Sequence, residues 1–374
     1  MRTRRPLLTL GAALGLLGLV GGTGGTGSIR LDHQPLTAAA PDPLPRPLNF
    51  PVPVTVLRPV ADEPAAFELG RALFYDQILS GDGTVSCGSC HEQSKAFTDG
   101  RALAVGVGGQ RGPRNAPALQ NLRWRRGFMA DGGARGLELQ ALAPLSSPLE
   151  MHLPLAEALA RLNANAAYRR RFAAVFGPGT IDTPQLLRAL AAFTAALTSA
   201  RSPYDRWARH EPGARLSPAA LRGRVLFAGQ CAGCHAGELF TDESFRNNGL
   251  DRRWPTDSGR ARISLRPADA GRFKVPSLRN VARTAPYMHD GRFRSLPAVL
   301  AHYAHGVRPS PTLDPLLRPP GRRLGLTLSA KQQADLLAFL HTLTDEEFLR
   351  DPRLGPPETE PDKAFVRSRV VAVR

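Results

Sequence analysis

The chain has 374 residues, with 49 Lys and Arg against 32 Asp and Glu, a formal charge of +17, and only four cysteines. That length suffices for two domains of ordinary size. The positive charge is almost wholly arginine, scattered and without a nucleic-acid-binding motif, which excludes nucleic acid as the expected partner; it suits acidic partners or anionic surfaces, or is simply Arg-rich composition.

At the start, Arg2, Arg4 and Arg5 precede an apolar run, Leu7–Val20, and a Gly/Thr/Ser stretch, Gly21–Ser28. This is the layout of an export signal, assigned to residues 1–28, because the apolar run is shorter than the about 20 residues a membrane helix needs. An uncleaved membrane anchor is the alternative. Residues 29–60 are Pro-rich and predicted to be extended. A helix is predicted from Glu63-Pro64 to Tyr75, with Pro64 suited to its first turn. A turn at Ser80–Gly83 leads into Cys87-Gly-Ser-Cys90-His91.

Residues 92–150 carry many Gly and Pro and read as a loop-built pocket wall. Helices are predicted over 152–176 and 184–200, the latter with Thr183 as N-cap and an apolar face of Leu186, Leu187, Leu190, Phe193 and Leu197. Arg201–Leu216 reads as a link between domains. Ser217-Pro218 opens a helix to Phe227, just before Cys231-Ala-Gly-Cys234-His235. A helix followed by the same five-residue pattern thus occurs twice, as in an internal duplication. Long loops are predicted over 236–275 and 306–326, and helices over Ser295–His305 and Ala330–Leu343, the last opened by the capping box Ser329-x-x-Gln332. Residues 351–374 read as a tail. The domain boundaries that follow are 61–205 and 206–350.

Cys-x-x-Cys-His is the attachment motif of c-type haem: two thiols bond the porphyrin and the adjacent His becomes the iron ligand. All four cysteines fall in the two copies, 144 residues apart. A zinc ribbon would bring its pairs within roughly 15–20 residues, disulfides across a two-residue gap would be strained, and a redox dithiol would leave the two His unexplained. Two covalent haems c are therefore expected, attached at Cys87, Cys90, Cys231 and Cys234, with His91 and His235 as proximal ligands. They also account for an aromatic content of only 6%.

Several further strings, in order, carry a family resemblance: Glu68–Tyr75, Val85–His91 with Ala96–Arg101, Arg114–Pro117, Leu137–Glu150, Phe240–Asp242, and Phe273–Val281 followed by Thr284–Gly291. From about Pro64 to Leu343 the chain resembles the bacterial di-haem cytochrome c peroxidase/MauG family. The resemblance implies a mainly α fold of two cytochrome c-like haem domains with extensive loops. It implies reduction of hydrogen peroxide with electrons from a small periplasmic donor, a cytochrome c or cupredoxin, and a homodimer in some members. The first haem would be peroxidatic, with Glu150 as the distal carboxylate and Gln140 and Pro144 lining the same pocket. Taken alone, a Glu near a helix start is an ordinary dipole-favoured surface residue. Many members cover this iron with a loop His, but residues 92–151 hold none; Met151 and His152 are the nearest substitutes.

At the second haem, spacing within the family's pattern puts Tyr303 at the distal ligand position, as in the MauG branch, with Met288, His302 and His305 as rivals. The resemblance also implies a calcium ion between the domains, held by Asn115 with the carbonyls of Thr284 and Pro286, oxygen ligands suited to a hard cation. The family's Trp between the haems is Ala130 here, with Trp124 and Phe128 nearby. A MauG-like oxidase of a partner protein's side chains is the rival reading. A non-catalytic electron carrier or redox sensor is the alternative of another class.

Overall fold

The first helix, α1 (Glu63–Tyr75), starts where Asp62 accepts a hydrogen bond from the Ala65 N–H and Pro64 occupies the first turn. It ends one turn before the bend into α2 (Cys87–Cys90), a single turn that carries the first Cys pair. In the computed structural model, residues 44–55 and 57–357 are described. The predicted export signal, the start of the Pro-rich segment and the end of the predicted tail lie outside the described residues.

After a long loop come α3 (Leu142–Ser146), α4 (Leu155–Ala164), α5 (Ala166–Phe176) and α6 (Thr183–Ala196). The single helix predicted over 152–176 is two, because Asn165 leaves helical geometry and caps α5 with its side chain. The cap of α6 is Asp182, in a capping box with Gln185, rather than Thr183. Next are α7 (Pro203–Ala208), α8 (Pro218–Gln230), α9 (Ala261–Ser264), α10 (Leu296–Ala301) and α11 (Ala330–His341). The predicted domain boundary at residue 205 falls inside α7. Among the described residues the only sheet is a two-residue antiparallel pair, β1 (Phe245–Arg246) with β2 (Phe273–Lys274). The mainly α fold with extensive loops is thus as expected.

Two helix pairs organise the interior. In the first half α1 packs on α6, and in the second α8 packs on α11. Each crossing is made close by one glycine. A Cβ on Gly70 would lie 2.0 Å from the Ala189 carbonyl oxygen, and one on Gly223 would lie 1.9 Å from that of Asp335. Around the first pair, Leu69, Leu73, Leu162, Phe172 and Leu186 form one apolar cluster. Around the second, Phe227, Leu300, Leu336 and Phe339 form another. Burying side chains of this size contributes about 1.5–3 kcal/mol each.

The halves are joined by buried polar contacts. Asn121 receives a hydrogen bond from Ser199 N (2.9 Å) and donates to its carbonyl (3.0 Å); Asn280 donates to Ser199 Oγ (3.0 Å) and accepts from Asp345 N (2.8 Å). Arg279, fully buried, forms a two-point ion pair with Asp205, both contacts 2.8 Å. Burial raises the Asp205 carboxyl, but its hydrogen bonds to Arg279, Ser202 and Asn49 outweigh that and hold it below the usual range. The N-terminal segment folds over this joint: Phe50 stands edge-on to Trp124 at 5.1 Å, and the Trp124 indole donates to the Pro51 carbonyl. At the other end, the chain returns to the first half. Leu354 is buried, and its carbonyl accepts from the Tyr75 hydroxyl (2.7 Å).

Candidate functional site

The first Cys pair sits on α2 because Ser86 and Ser89 close a capping box around that single turn. His91 follows at the helix end, and its Nδ1 lies 2.7 Å from the Phe97 carbonyl. A ring whose Nδ1–H is given to a carbonyl keeps the lone pair of Nε2 free for a metal. Burial pushes the imidazole pKa down, which keeps it neutral, the form that ligates. Phe97 is buried against Phe74 and Phe348, so the carbonyl is held by the core.

Glu150 approaches the same pocket from above α3. Gln140 and Pro144 are four residues apart on the helical run that ends in α3, and the chain then turns through Ser147 to Glu150. Two carbonyls fasten the turn: Ser147 N–H donates to Ala143 and Met151 N–H to Pro144, both 3.0 Å. The Glu150 side chain is exposed, and its carboxylate is near enough to act electrostatically on both Cys87 and Cys90. Desolvation raises its carboxyl pKa, and a hydrogen bond from the Ser147 hydroxyl partly offsets this. A carboxyl tuned upward in this way suits proton transfer near neutral pH.

The loop that would carry a covering His is tied down without one. Val107 N–H donates to the Glu150 carbonyl (2.8 Å), and Gly108 donates through its backbone to Asp82. The Met151 side chain is buried in the apolar cluster around α1, and His152 is exposed, with a left-handed backbone (φ 50°).

The second pair follows α8. His235 Nδ1 has two carbonyl neighbours, Phe240 at 3.1 Å and Pro276 at 3.2 Å, and burial again lowers its pKa. Tyr303 lies on a π-helical turn (His302–Gly306) that continues α10, a geometry frequent at functional sites. Burial pushes its hydroxyl up to about 12; Asn248 hydrogen-bonds to it, and Cys234 and Cys231 act on it electrostatically. Tyr303 thus lies within electrostatic reach of the second Cys pair, as Glu150 does of the first. Of its rivals, His305 points away to Arg323, and His302 Nε2 is 3.0 Å from the Asn248 carbonyl. Met288 stays close, its sulfur 3.2 Å from the Asn248 amide nitrogen.

All four thiols are free of disulfides, and burial raises each pKa, to about 12 for Cys87 and Cys231 and about 11 for Cys234. A redox dithiol needs the opposite, a lowered thiol pKa. Among the described residues no three His, Cys, Asp or Glu side chains gather as a metal site, so the Cys pairs do not converge on zinc. A free thiol pair and an imidazole with Nδ1 engaged is a donor set that fits haem c in each half.

Ala130 accepts a hydrogen bond from the Lys274 N–H (2.8 Å) at the end of β2. Lys274 is buried beside Phe128, Glu243 and Arg125, and desolvation lowers its pKa to about 8. Trp124 is taken up by the N-terminal segment. Asn115 donates its amide N–H to the Arg101 carbonyl (2.5 Å) and its backbone N–H to that of His289 (2.7 Å), which leaves Oδ1 as its acceptor. Thr284 and Pro286 follow the short helical turn Val281–Arg283.

Sequence reasoning did not single out Arg114, which is half-buried and clamps two carboxylates, Asp257 (2.7 and 2.8 Å) and Asp131 (2.6 Å), while lying over the Phe273 ring. His289 stacks on that same Phe273 ring at 3.8 Å. Nor did it single out Asn248. Arg114 opens the family string Arg114–Pro117, which gave it no role of its own, and no motif marks Asn248.

A family model described as di-haem cytochrome c peroxidase matches residues 64–213. The methylamine utilization protein MauG of Methylorubrum extorquens is 39% identical over 305 residues, 80% of this chain and 84% of the relative. The cytochrome c551 peroxidase of Nitrosomonas europaea is 32% identical over 315 residues, 82% of this chain and 89% of the relative. Among solved structures, a MauG-like protein associated with microbial copper homeostasis matches with a TM-score of 0.76 at 37% identity, over 83% of this chain and 98% of that one.

Proposed function

The chain belongs to the di-haem cytochrome c peroxidase family, and from its own site we propose that it reduces hydrogen peroxide to water with electrons from an external donor protein. The observation that carries this reading is Glu150, a carboxylate of raised pKa within electrostatic reach of Cys87 and Cys90, next to a stretch, 92–151, that holds no imidazole. When bound, haem supplies the iron that takes the peroxide and stores the oxidising equivalents. Glu150 takes the proton from the inner peroxide oxygen and returns it to the outer one, which leaves as water. Gln140 and Pro144 line the wall beside it. His91, oriented by the Phe97 carbonyl, and His235, oriented by Phe240 and Pro276, hold the two irons from below. Tyr303 would ligate the second iron, and a phenolate there would stabilise the ferric state relative to a Met ligand. Each half, 61–205 and 206–350, is read as one haem domain.

Asn115 Oδ1, with the carbonyls of Thr284 and Pro286, is read as a calcium site built from neutral oxygens. The partner is a small soluble redox protein, a cytochrome c or cupredoxin, met in the periplasm after export. Among the described residues no helix is long and apolar enough to cross a membrane. Tyr303 within electrostatic reach of the second Cys pair favours a second reading, oxidation of side chains on a partner protein in the manner of MauG. Rapid peroxide-dependent oxidation of reduced cytochrome c by the holoprotein supports the first reading; slow oxidation of it, with peroxide consumed against a protein partner, supports the second.

Glu150→Gln tests the assignment. General acid–base groups contribute about 10²–10⁴-fold, so peroxide turnover falls by at least about a hundredfold while both haems stay bound. Unchanged turnover removes Glu150 from the reaction. EPR of the air-oxidised holoprotein is the companion measurement. A high-spin signal beside a low-spin one is expected of an uncovered first iron, and two low-spin signals overturn that part of the reading.

A further inference from the structure

Tyr303 and Met288 meet at one residue. The Asn248 side chain hydrogen-bonds to the Tyr303 hydroxyl, and its amide nitrogen stands 3.2 Å from the Met288 sulfur. Oxygen and sulfur thus both lie within reach of one primary amide. An asparagine amide carries two N–H donors and can serve both acceptors at once. We propose that Asn248 selects the distal ligand of the second iron, by donating to the Tyr303 oxygen while holding the Met288 sulfur away from the metal. The inference rests on the reading of Tyr303 as that ligand and adds a positioning residue to it.

Asn248 is built to be rigid. Its carbonyl is 3.0 Å from Nε2 of His302, the residue before Tyr303, so its backbone and side chain grip the same π-helical turn. His302 is itself packed against Phe293 (5.4 Å) and the Tyr303 ring (5.3 Å). On one side, Asn247 is buried and donates to Ser310 (2.9 Å) and Thr312 (3.0 Å). On the other, the Gly249 carbonyl accepts from Arg308 N–H (2.8 Å). An amide fixed from both flanks has little freedom to follow a ligand that moves.

The chemistry needs such a device. A donated N–H fixes the direction in which the Tyr303 oxygen points, as outer-shell partners do for metal ligands. Met288 competes with it. Its backbone is left-handed (φ 76°) and its thioether is a soft donor that binds haem iron and raises the potential. Asn248 acts on both sides of this competition with one group.

The test uses the holoprotein with both haems attached, read by ferric absorption in the red region, EPR and the midpoint potential of the second haem. Asn248→Leu is expected to gain the red-region sulfur-to-iron band and a higher second-haem midpoint. Asn248→Leu with Met288→Leu loses that band. Asn248→Gln, which restores the amide, stays close to the parent protein. The proposal is overturned if Asn248→Leu keeps the parent spectrum and midpoint, or if its new spectrum survives Met288→Leu. If Asn248→Leu does not load both haems, Asn248→Ser carries the same expectations. Tyr303→Phe separates the two readings: an unchanged second-haem spectrum there refutes Tyr303 as ligand, whatever the Asn248 variants do.

Discussion

Phe97 and Phe240 do the same work in the two halves. Each has a left-handed backbone (φ 61° and 53°), and each presents its carbonyl to the Nδ1 of the preceding motif His. The parallel runs further. Gly70-Arg-Ala-Leu-Phe74 and Gly223-Arg-Val-Leu-Phe227 lie on the helices before each Cys pair, and Phe-Thr-Asp recurs at 97–99 and 240–242. Asn121 and Asn280 are both left-handed (φ 59° and 58°) and receive the ends of α6 and α11 through Leu197 and Leu343. Below the expected haems the halves are copies. On the proposed reading they diverge elsewhere: the first half supplies Glu150 as a proton carrier, and the second supplies Tyr303 as an iron ligand. The proposed division of labour is then one scaffold used twice, once for a site where substrate reacts and once for a site where charge is stored.

The most drastic way to break this comparison is to remove each attachment pair in turn. Replacing Cys87 and Cys90 by Ser is expected to abolish peroxide turnover and leave one haem with the second half's spectrum. Replacing Cys231 and Cys234 by Ser leaves a haem that still reacts once with peroxide in stopped flow but does not turn over with a donor protein. If either variant behaves as the other should, the division of labour is reversed. Next in size is the joint between the halves. Arg279→Met leaves Asp205 charged, buried and unpaired, and breaking such a pair costs about 3–5 kcal/mol, to be read in denaturant unfolding of the holoprotein. The helix crossings give a smaller effect. Gly70→Ala and Gly223→Ala each drive a methyl into a backbone carbonyl, with overpacking costs of about 1–3 kcal/mol. Similar losses are expected from both, and a neutral result in one half shows that the crossings are not equivalent.

Much of this was legible in the sequence because it was local. The two Cys-x-x-Cys-His motifs, the prolines at the starts of α1 and α8, and the Ser329–Gln332 box each act within one or two turns. The family strings carried Glu150 and Tyr303 to their positions. What stayed hidden depends on contacts between distant segments. Arg114 reaches Asp257 across 143 residues, and Asn248 reaches Met288 across 40. Leu354 is buried although it lies in a segment that reads as tail, since its burial is decided by Tyr75 and Arg71 on α1. The repeat itself was partly visible. The order of helix and motif showed it, but the matching Gly-Arg-x-Leu-Phe strings acquire meaning only once both glycines are seen at helix crossings.

The finest test of the difference between the halves is a pH profile. Glu150 begins the reaction as a base, so the ionised carboxylate is the active form, and its raised pKa sets the acid limb of kcat/KM. Below that pKa the rate falls by about tenfold per pH unit, and above it the rate is level. The Ser147 hydroxyl stabilises the charged form of Glu150; Ser147→Ala therefore raises the pKa further and moves the acid limb to higher pH. The level part at high pH changes little, because the base is fully ionised there in both proteins. Glu150→Gln removes the limb, while Tyr303→Phe, a change confined to the other half, leaves it where it was. A limb that stays in place in Ser147→Ala but moves in Tyr303→Phe would mean that proton transfer is governed from the second half, and the two sites would then not be separable by function.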